Sequence, residues 1–306
     1  GDDMDFLLDV VAQGLAYGIL AIGVLLTYQV LDYADLTVEG SFPLGAAVGA
    51  IFITQGWNPF VVLIAAFIAG VLAGYATGIL HVKFRISSLL SGILVMTALY
   101  SINLIVAGNS SLIPLFSYDT IFTYGNAIAD MVGGTMGEWI MKLWPVIILL
   151  VLVLLMKLLI DWFLQTKYGF LMRIAGDNPQ LIATLGKDIG WIKMNGLALS
   201  NGYAAVSGAL ISQFLRSFTA DLGTGMIVLG LASVIMGITL FKRSRFIGFT
   251  TSVVLGAIVY RFAIAAALNA GFPSTYLRLI MSIIFILVLI LGNGVMAKFF
   301  HRSIKN

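Results

Sequence analysis

The sequence predicts an all-α integral membrane protein, a polytopic bundle of about eight to ten transmembrane helices, some short or interrupted. Three observations lead there. Of the 306 residues, 60% are apolar and 10% charged, and the mean hydropathy is +1.04. Soluble domains run nearer roughly 45–50% apolar and about 25% charged. The apolar residues gather into long unbroken segments, and the Lys and Arg residues fall unevenly on the connections between them. Nearly all of the chain is consumed by spans and short loops, so residues 1–306 form a single transmembrane domain.

In chain order, the apolar segments lie at about 6–30, 41–54, 58–80, 88–107, 143–165, 190–213, 224–241, 246–269 and 276–297. Two of them, 41–54 and 224–241, are short and glycine-rich for full spans. The N-terminal stretch Gly1–Asp9 holds four aspartates and no Lys or Arg, unlike the basic start of an export signal. Gly1–Asp3 reads as a remnant ahead of a start at Met4.

Thirteen of the 17 basic residues fall on one side if the segments cross alternately: Lys83 and Arg85, Lys157 to Lys193, Lys242 to Arg245, and Lys298, Arg302 and Lys305. Lys142, Arg216, Arg261 and Arg278 share the other side with most of the acids. The positive-inside rule then places the C-terminus in the cytoplasm and, with nine crossings, the N-terminus outside. Residues 108–142 become an external loop with an amphipathic piece. Residues 166–189 become the longest cytoplasmic connection, two short helices broken at Gly176–Pro179, with Asn178 capping the second.

Within the spans, Gly70, Gly74 and Gly78 repeat every fourth residue, as do Gly14 and Gly18, and Gly45 and Gly49. Such faces let helix backbones approach closely in lipid.

Several chemistries are excluded. With no cysteine there is no disulfide, thiolate metal site or cysteine nucleophile. A net charge of +3 with scattered basic residues does not make a nucleic-acid surface. There is no HExxH, GxSxG or Walker A loop, and the two histidines, His81 and His301, stand apart at span ends.

What remains is polar residues set among apolar ones. The stretch Asp32–Ser41 carries three acids at the junction of two apolar runs, and Phe42-Pro43 comes directly after it. It is either a solvated cytoplasmic loop or a broken helix lining a cavity, where irregular backbone can face water. Thr219-Ala-Asp221-Leu-Gly-Thr224-Gly225 resembles it faintly, which hints at an inverted internal repeat with interrupted helices at corresponding places. Asn201 lies inside a span and suits interhelical hydrogen bonding or substrate contact. Arg261, also inside a span, is expected to snorkel to an interface or to pair with an acid.

Two stretches resemble the membrane permeases of ATP-binding-cassette importers of the branched-chain amino acid and ribose type. LDYADLTVEGSFPLGAAVGA (31–50) is similar to their early signature. YGFLMRIAGDNPQLIATLGKDIGWIKMNGLALSNGYAAVSGAL (168–210) is similar to their cytoplasmic loop and following helix, through Gly169, Arg173, Ala175, Asn178, Ala183, Gly186, Ile189, Leu199, Ser200 and Gly208. Ile174 and Lys187-Asp188 depart from the pattern. LTVEGSFPLGAAV is most similar to the subgroup paired with binding proteins for aromatic amino acids (tryptophan/tyrosine).

The resemblance implies a permease subunit, not an enzyme, that carries an amino acid, aromatic or branched-chain, across the cell membrane. It implies coupling helices at 166–189, with Gly169, Arg173, Ala175, Gly176, Asp177, Asn178, Ala183 and Gly186 docking on a separate cytoplasmic ATPase. The assembly it implies is a homodimer with two ATPase subunits and an external lipoprotein or periplasmic substrate-binding protein. No cofactor is bound by this chain; ATP and Mg are held by the partner ATPase. Candidates for the substrate pathway are Tyr33, Asp35, Thr37, Glu39, Ser41, Phe42 and Asn201. An ion-coupled secondary transporter of a small solute is the alternative, with the acids at 32–39 as its coupling site.

Overall fold

The computed structural model describes the backbone through Ser303 and the side chains through Gly292. Lys298, Arg302 and Lys305, on which the placement of the C-terminus rests in part, and His301 lie outside the residues whose side chains are described.

Among the described residues, nine apolar helices form the bundle. They are α1 (Asp2–Leu25), α2 (Val38–Thr54), α3 (Pro59–Val82), α4 (Ser88–Val106), α6 (Gly134–Gln165), α9 (Ile189–Leu215), α10 (Met226–Phe241), α11 (Phe249–Asn269) and α12 (Leu277–Ser303). Three short helices complete the set, α5 (Tyr124–Val132), α7 (Lys167–Asp177) and α8 (Pro179–Thr184), along with two three-residue strands, β1 (Leu112–Pro114) and β2 (Ser217–Thr219). Six helices are long and apolar enough to cross a membrane, and α2 and α10 are shorter apolar helices of 17 and 16 residues. Each apolar segment of the sequence becomes one helix. The protein is a multi-pass membrane protein.

The two halves of the bundle pair in the same way. α3 packs along α9, and α11 packs along α1. α2 leans on α3 and α4, as α10 leans on α11 and α12. α1 and α9 run antiparallel, because the Ser200 hydroxyl donates to the Gly23 carbonyl at 2.7 Å while the Ser207 hydroxyl donates to Ala16 at 2.7 Å. Equivalent helices therefore point in opposite directions, the inverted arrangement suspected from the sequence.

Glycine makes these contacts possible. A Cβ at Gly70 or Gly74 would run into the α9 backbone at Asn201 and Leu197, and one at Gly14 into Ile258 of α11. In lipid there is no hydrophobic drive between helices, so this close backbone approach supplies the van der Waals contact that holds them. α9 sits at the centre, with Leu197, Asn201, Ala204 and Leu210 all buried. α6 is the opposite case. Its Leu150, Val151, Leu154, Leu155 and Leu158 face outward, and lipid is the solvent that suits them.

Two connections differ from expectation. α6 begins at Gly134, ahead of the apolar run at 143. Gly133 and Gly134 take positive φ values of 66° and 64°, which ends α5 and lets a new helix start at once. The Trp144 indole N–H then donates to the Ile121 carbonyl at 2.9 Å and pins the extended helix to the loop. The second difference is that β1 and β2 pair antiparallel, Ile113 opposite Phe218. This ribbon ties the 108–142 loop to the connection between α9 and α10. Arg261 pairs with no acid among the described residues; its guanidinium lies 5.7 Å from the centre of the Tyr17 ring, a cation–π contact.

Candidate functional site

The helix that begins as α1 does not run smoothly into α2. Residues Leu26–Val30 widen into a π turn, Asp32 takes φ +50°, and the backbone stays irregular until Thr37. Asp32 and Ala34 are exposed and Tyr33 and Asp35 buried, so the segment is a broken helix rather than a solvated loop. π turns of this kind are frequent at functional places in helices.

Asp35 is fully buried, and both of its carboxyl oxygens are engaged. Its carboxyl accepts from the Thr37 backbone N–H at 2.9 Å and from the Asn201 amide at 2.9 Å. The Ser41 hydroxyl donates to the Asn201 Oδ1 at 2.6 Å, and the Asn201 amide also donates to Leu197 at 2.8 Å. Thr37 and Thr77 join hydroxyls at 2.6 Å. The result is a closed polar network between the break, α2, α3 and the middle of α9. Of the seven pathway candidates, Asp35, Thr37, Ser41 and Asn201 meet here, all at 0% exposure. Phe42 is also enclosed, stacked on Tyr17 at 6.0 Å. Tyr33 lies apart, against the His81 ring at 5.1 Å.

Glu39 stands on the other side of α2. It is half-buried and lies beside the turn that leads into α10. α10 opens at Gly225, φ +81°, with no side-chain cap of its own, and an acid from α2 stands near this end, the positive end of the helix dipole. The backbones touch as well, since a Cβ at Gly223 would collide with the Glu39 carbonyl and Pro43. The two broken-helix starts of the inverted halves thus meet each other.

A cavity of about 210 Å³ opens at this junction, between α2, α4 and residues 220–224. Glu39 lines it, together with Thr97, Tyr100, Asn103 and Thr224. Asn103, Thr97 and Tyr100 are not among the candidates that the sequence offers. Asparagine inside an apolar span is the available signal, the same one that points to Asn201. A larger groove of about 550 Å³ between α3, α6 and α9 is lined by Phe60, Phe67, Leu155, Trp162 and similar residues. Its one hydroxyl, Tyr203, is already committed to Met156 at 2.5 Å, which leaves the Trp162 indole N–H as the polar group in an otherwise apolar lining. Among the described residues no cluster of three His, Asp or Glu could hold a metal.

The α7–α8 elbow forms at the end of the bundle where α1 breaks. Thr166 caps α7 through Gly169 N–H at 3.2 Å, and Asn178 caps α8 through Leu181 N–H at 3.4 Å, the helix break expected at Gly176–Pro179. Gly169, Met172, Ala175 and Ile182 face the bundle, while Arg173, Asp177, Asn178, Ala183 and Gly186 face out, beside exposed Phe170, Leu181 and Leu185. Gly176 sits against the Val30 carbonyl, too close for any side chain. A second link runs through hydroxyls and amides: Tyr75 donates to Asn195 at 2.5 Å, and Asn195 donates to Tyr168 at 2.5 Å. Burial pushes the Tyr168 hydroxyl up from its ordinary value, which keeps it a donor. The elbow is therefore fastened both to the broken end of α1 and, through Asn195, to α9 and α3.

A multi-pass bundle of inverted halves, with interrupted helices meeting beside a small polar cavity, is the architecture of a solute permease. The chain belongs to the family described as branched-chain amino acid transport system, permease component, which it matches over residues 6–289. It is 43% identical over 290 residues to a tyrosine transport system permease protein of Clostridioides difficile, covering 95% of this chain and 92% of that one. It is 22% identical over 294 residues to a ribose import permease protein of Haemophilus influenzae, covering 95% and 85%. A probable branched-chain amino acid transport permease protein of Methanocaldococcus jannaschii is 25% identical over 287 residues, covering 90% and 86%. This is the importer permease family that the coupling-loop motif points to, with the aromatic subgroup represented by the tyrosine permease, rather than the ion-coupled alternative. The family makes the chain a transport subunit and not an enzyme.

Proposed function

We propose that this chain forms the translocation pathway of an ATP-driven importer for an aromatic amino acid, tyrosine first among them. It works as a homodimer in the cell membrane with its C-terminus in the cytoplasm. Two cytoplasmic ATPase subunits bind ATP and Mg, and an external binding protein delivers the cargo. The choice of cargo rests on the 43% identity to the tyrosine permease. The observation that carries the mechanism is the seat of Gly176 on Val30, which joins the outward-facing α7–α8 elbow to the break before α2.

The outer face of the elbow mixes Arg173, Asp177 and Asn178 with Phe170, Leu181 and Leu185, a surface suited to a protein cleft. Closure of the ATPase dimer on ATP displaces the elbow. The displacement passes to residues 26–37 and so to α2, while the Asp35–Asn201 network holds the far side of the break on α9. Tyr33, Asp35, Thr37, Glu39, Ser41, Phe42 and Asn201 thereby act as the moving wall of the pathway, and Glu39 is the one beside the cavity. ATP drives the cycle because it binds the two conformations of the assembly with different affinity.

The test is Gly176→Val in the purified complex. The isopropyl group separates the elbow from Val30, so substrate-stimulated ATP hydrolysis and ATP-driven tyrosine uptake both fall by at least tenfold, while copurification of the ATPase is retained. Wild-type stimulation in that variant, or uptake that survives ATP depletion, rejects the mechanism.

A further inference from the structure

The cavity at the meeting of α2 and α10 carries an unused recognition pattern. Glu39 is the one charged side chain in its lining. A carboxylate offers about four lone-pair positions, all of them acceptors. Asn103 lines the same cavity at 1% exposure. Its amide donates to the Gly40 carbonyl at 3.2 Å, and its Oδ1 accepts from nothing. The opposite amide orientation would set oxygen against oxygen, so the Gly40 contact fixes the acceptor as the free atom. A buried acceptor left unpaired inside an apolar span is unfavourable, and few such atoms survive in native proteins without a reason.

Both open positions are acceptors, and one is anionic. The complementary ligand is a cationic donor. Tyr100 adds an aromatic wall, which also favours a cation. At about 210 Å³ the cavity is smaller than the roughly 300–1,000 Å³ of sites that enclose a whole drug-sized ligand. It holds a head group and leaves the rest of the solute outside, toward the exposed flank of α4.

We propose that this cavity binds the α-ammonium group of the transported amino acid, with Glu39 as counter-ion and Asn103 Oδ1 as the second acceptor. This rests on the amino acid importer reading and adds to it a substrate site inside the permease. The site recognises the amino group common to all cargo, and the side chain stays unread. It admits amino acids as a class and rejects neutral sugars and des-amino acids.

The experiment is ligand-observed saturation-transfer NMR on the full chain in lipid nanodiscs. The probes are L-phenylalanine, phenethylamine and 3-phenylpropionate. The expected result is binding of the first two and not the third. Glu39→Gln, which keeps the shape and removes the charge, weakens phenethylamine at least tenfold, and Asn103→Leu weakens it severalfold. Glu39→Asp, which keeps the charge, retains it. Equal binding of 3-phenylpropionate, displacement of the amine by sodium at equal concentration, or equal loss in Glu39→Gln and Glu39→Asp overturns the proposal. ATP-driven uptake in proteoliposomes separates the two readings. If uptake requires ATP but runs at the wild-type rate in Glu39→Gln, the site is wrong and the importer stands. If amines bind through Glu39 but uptake ignores ATP, the site stands and the importer is wrong.

Discussion

The two breaks, before α2 and before α10, occupy matching places in the inverted halves and are built differently. In the first, Asp35 is enclosed and accepts two hydrogen bonds, and the network reaches Ser41, Asn201 and Leu197. In the second, Asp221 is exposed and stands 3.9 Å from Arg278, with side chains 72% and 66% accessible. The first break fastens itself to α9. The second is held by a loose surface pair, the β1–β2 ribbon and the seat of Gly223 on the Glu39 carbonyl. A pseudosymmetric fold can thus fasten one break to its neighbours by buried hydrogen bonds and hold the other by surface contacts.

The largest expected effect attacks the anchor. Asp35→Ala strips the partner from the Thr37 N–H and from one Asn201 donor, both in a dry interior. Hydrogen bonds to a charged group contribute about 1.5–3 kcal/mol each, so thermal unfolding in detergent should report a loss of about 3 kcal/mol. Asp35→Asn recovers part of it, because its oxygen still accepts from Thr37. An unchanged melting temperature in Asp35→Ala removes the distinction between the breaks.

How much of this is legible in the sequence depends on which forces are local. The nine apolar helices among the described residues, the elbow with its Asn178 cap and the glycine faces of α1 and α3 are set by hydropathy and by residues within one turn. They can be read from the sequence with edges good to a few residues, α6 excepted. Asp35, Ser41 and Asn201 are legible as polar residues in apolar company, but their union is not, because 166 residues separate Asp35 from its amide donor. The two breaks look alike as strings, Thr-x-acid then glycine. The matching acids there are Glu39 and Asp221; burial, which depends on the whole bundle, is what sets half-buried Glu39 and fully buried Asp35 apart from exposed Asp221. Asn103 carries the same signal as Asn201, an asparagine inside an apolar span, but its partner Gly40 lies on another helix and is not legible in the sequence. The β1–β2 ribbon cannot be anticipated, since three-residue strands carry no periodicity.

The second effect falls where the breaks meet. Gly223→Val places a side chain against the Glu39 carbonyl and Pro43. Overpacking of this kind costs about 1–3 kcal/mol. It also prises the two half-helix starts apart, so uptake should fall further than the melting temperature implies. Uptake that merely tracks folded protein would mean that the meeting of the breaks is packing alone.

The smallest effect sharpens the contrast most. Asp221→Asn removes one charge from the surface pair with Arg278, and exposed pairs contribute about 0–1 kcal/mol. The variant should therefore melt within about 0.5 kcal/mol of wild type. Raising the salt concentration, which already screens an exposed pair, should shrink even that difference. Stability is not the informative readout here. If the second break is the movable one, a weakened tether at its outer end changes how often it moves, so Asp221→Asn should alter the ATP-driven uptake rate while Asp35→Asn, at equal folded protein, lowers stability. If Asp221→Asn destabilises the chain as much as Asp35→Ala, its exposed carboxyl is held by more than Arg278, and the two breaks are anchors of equal standing.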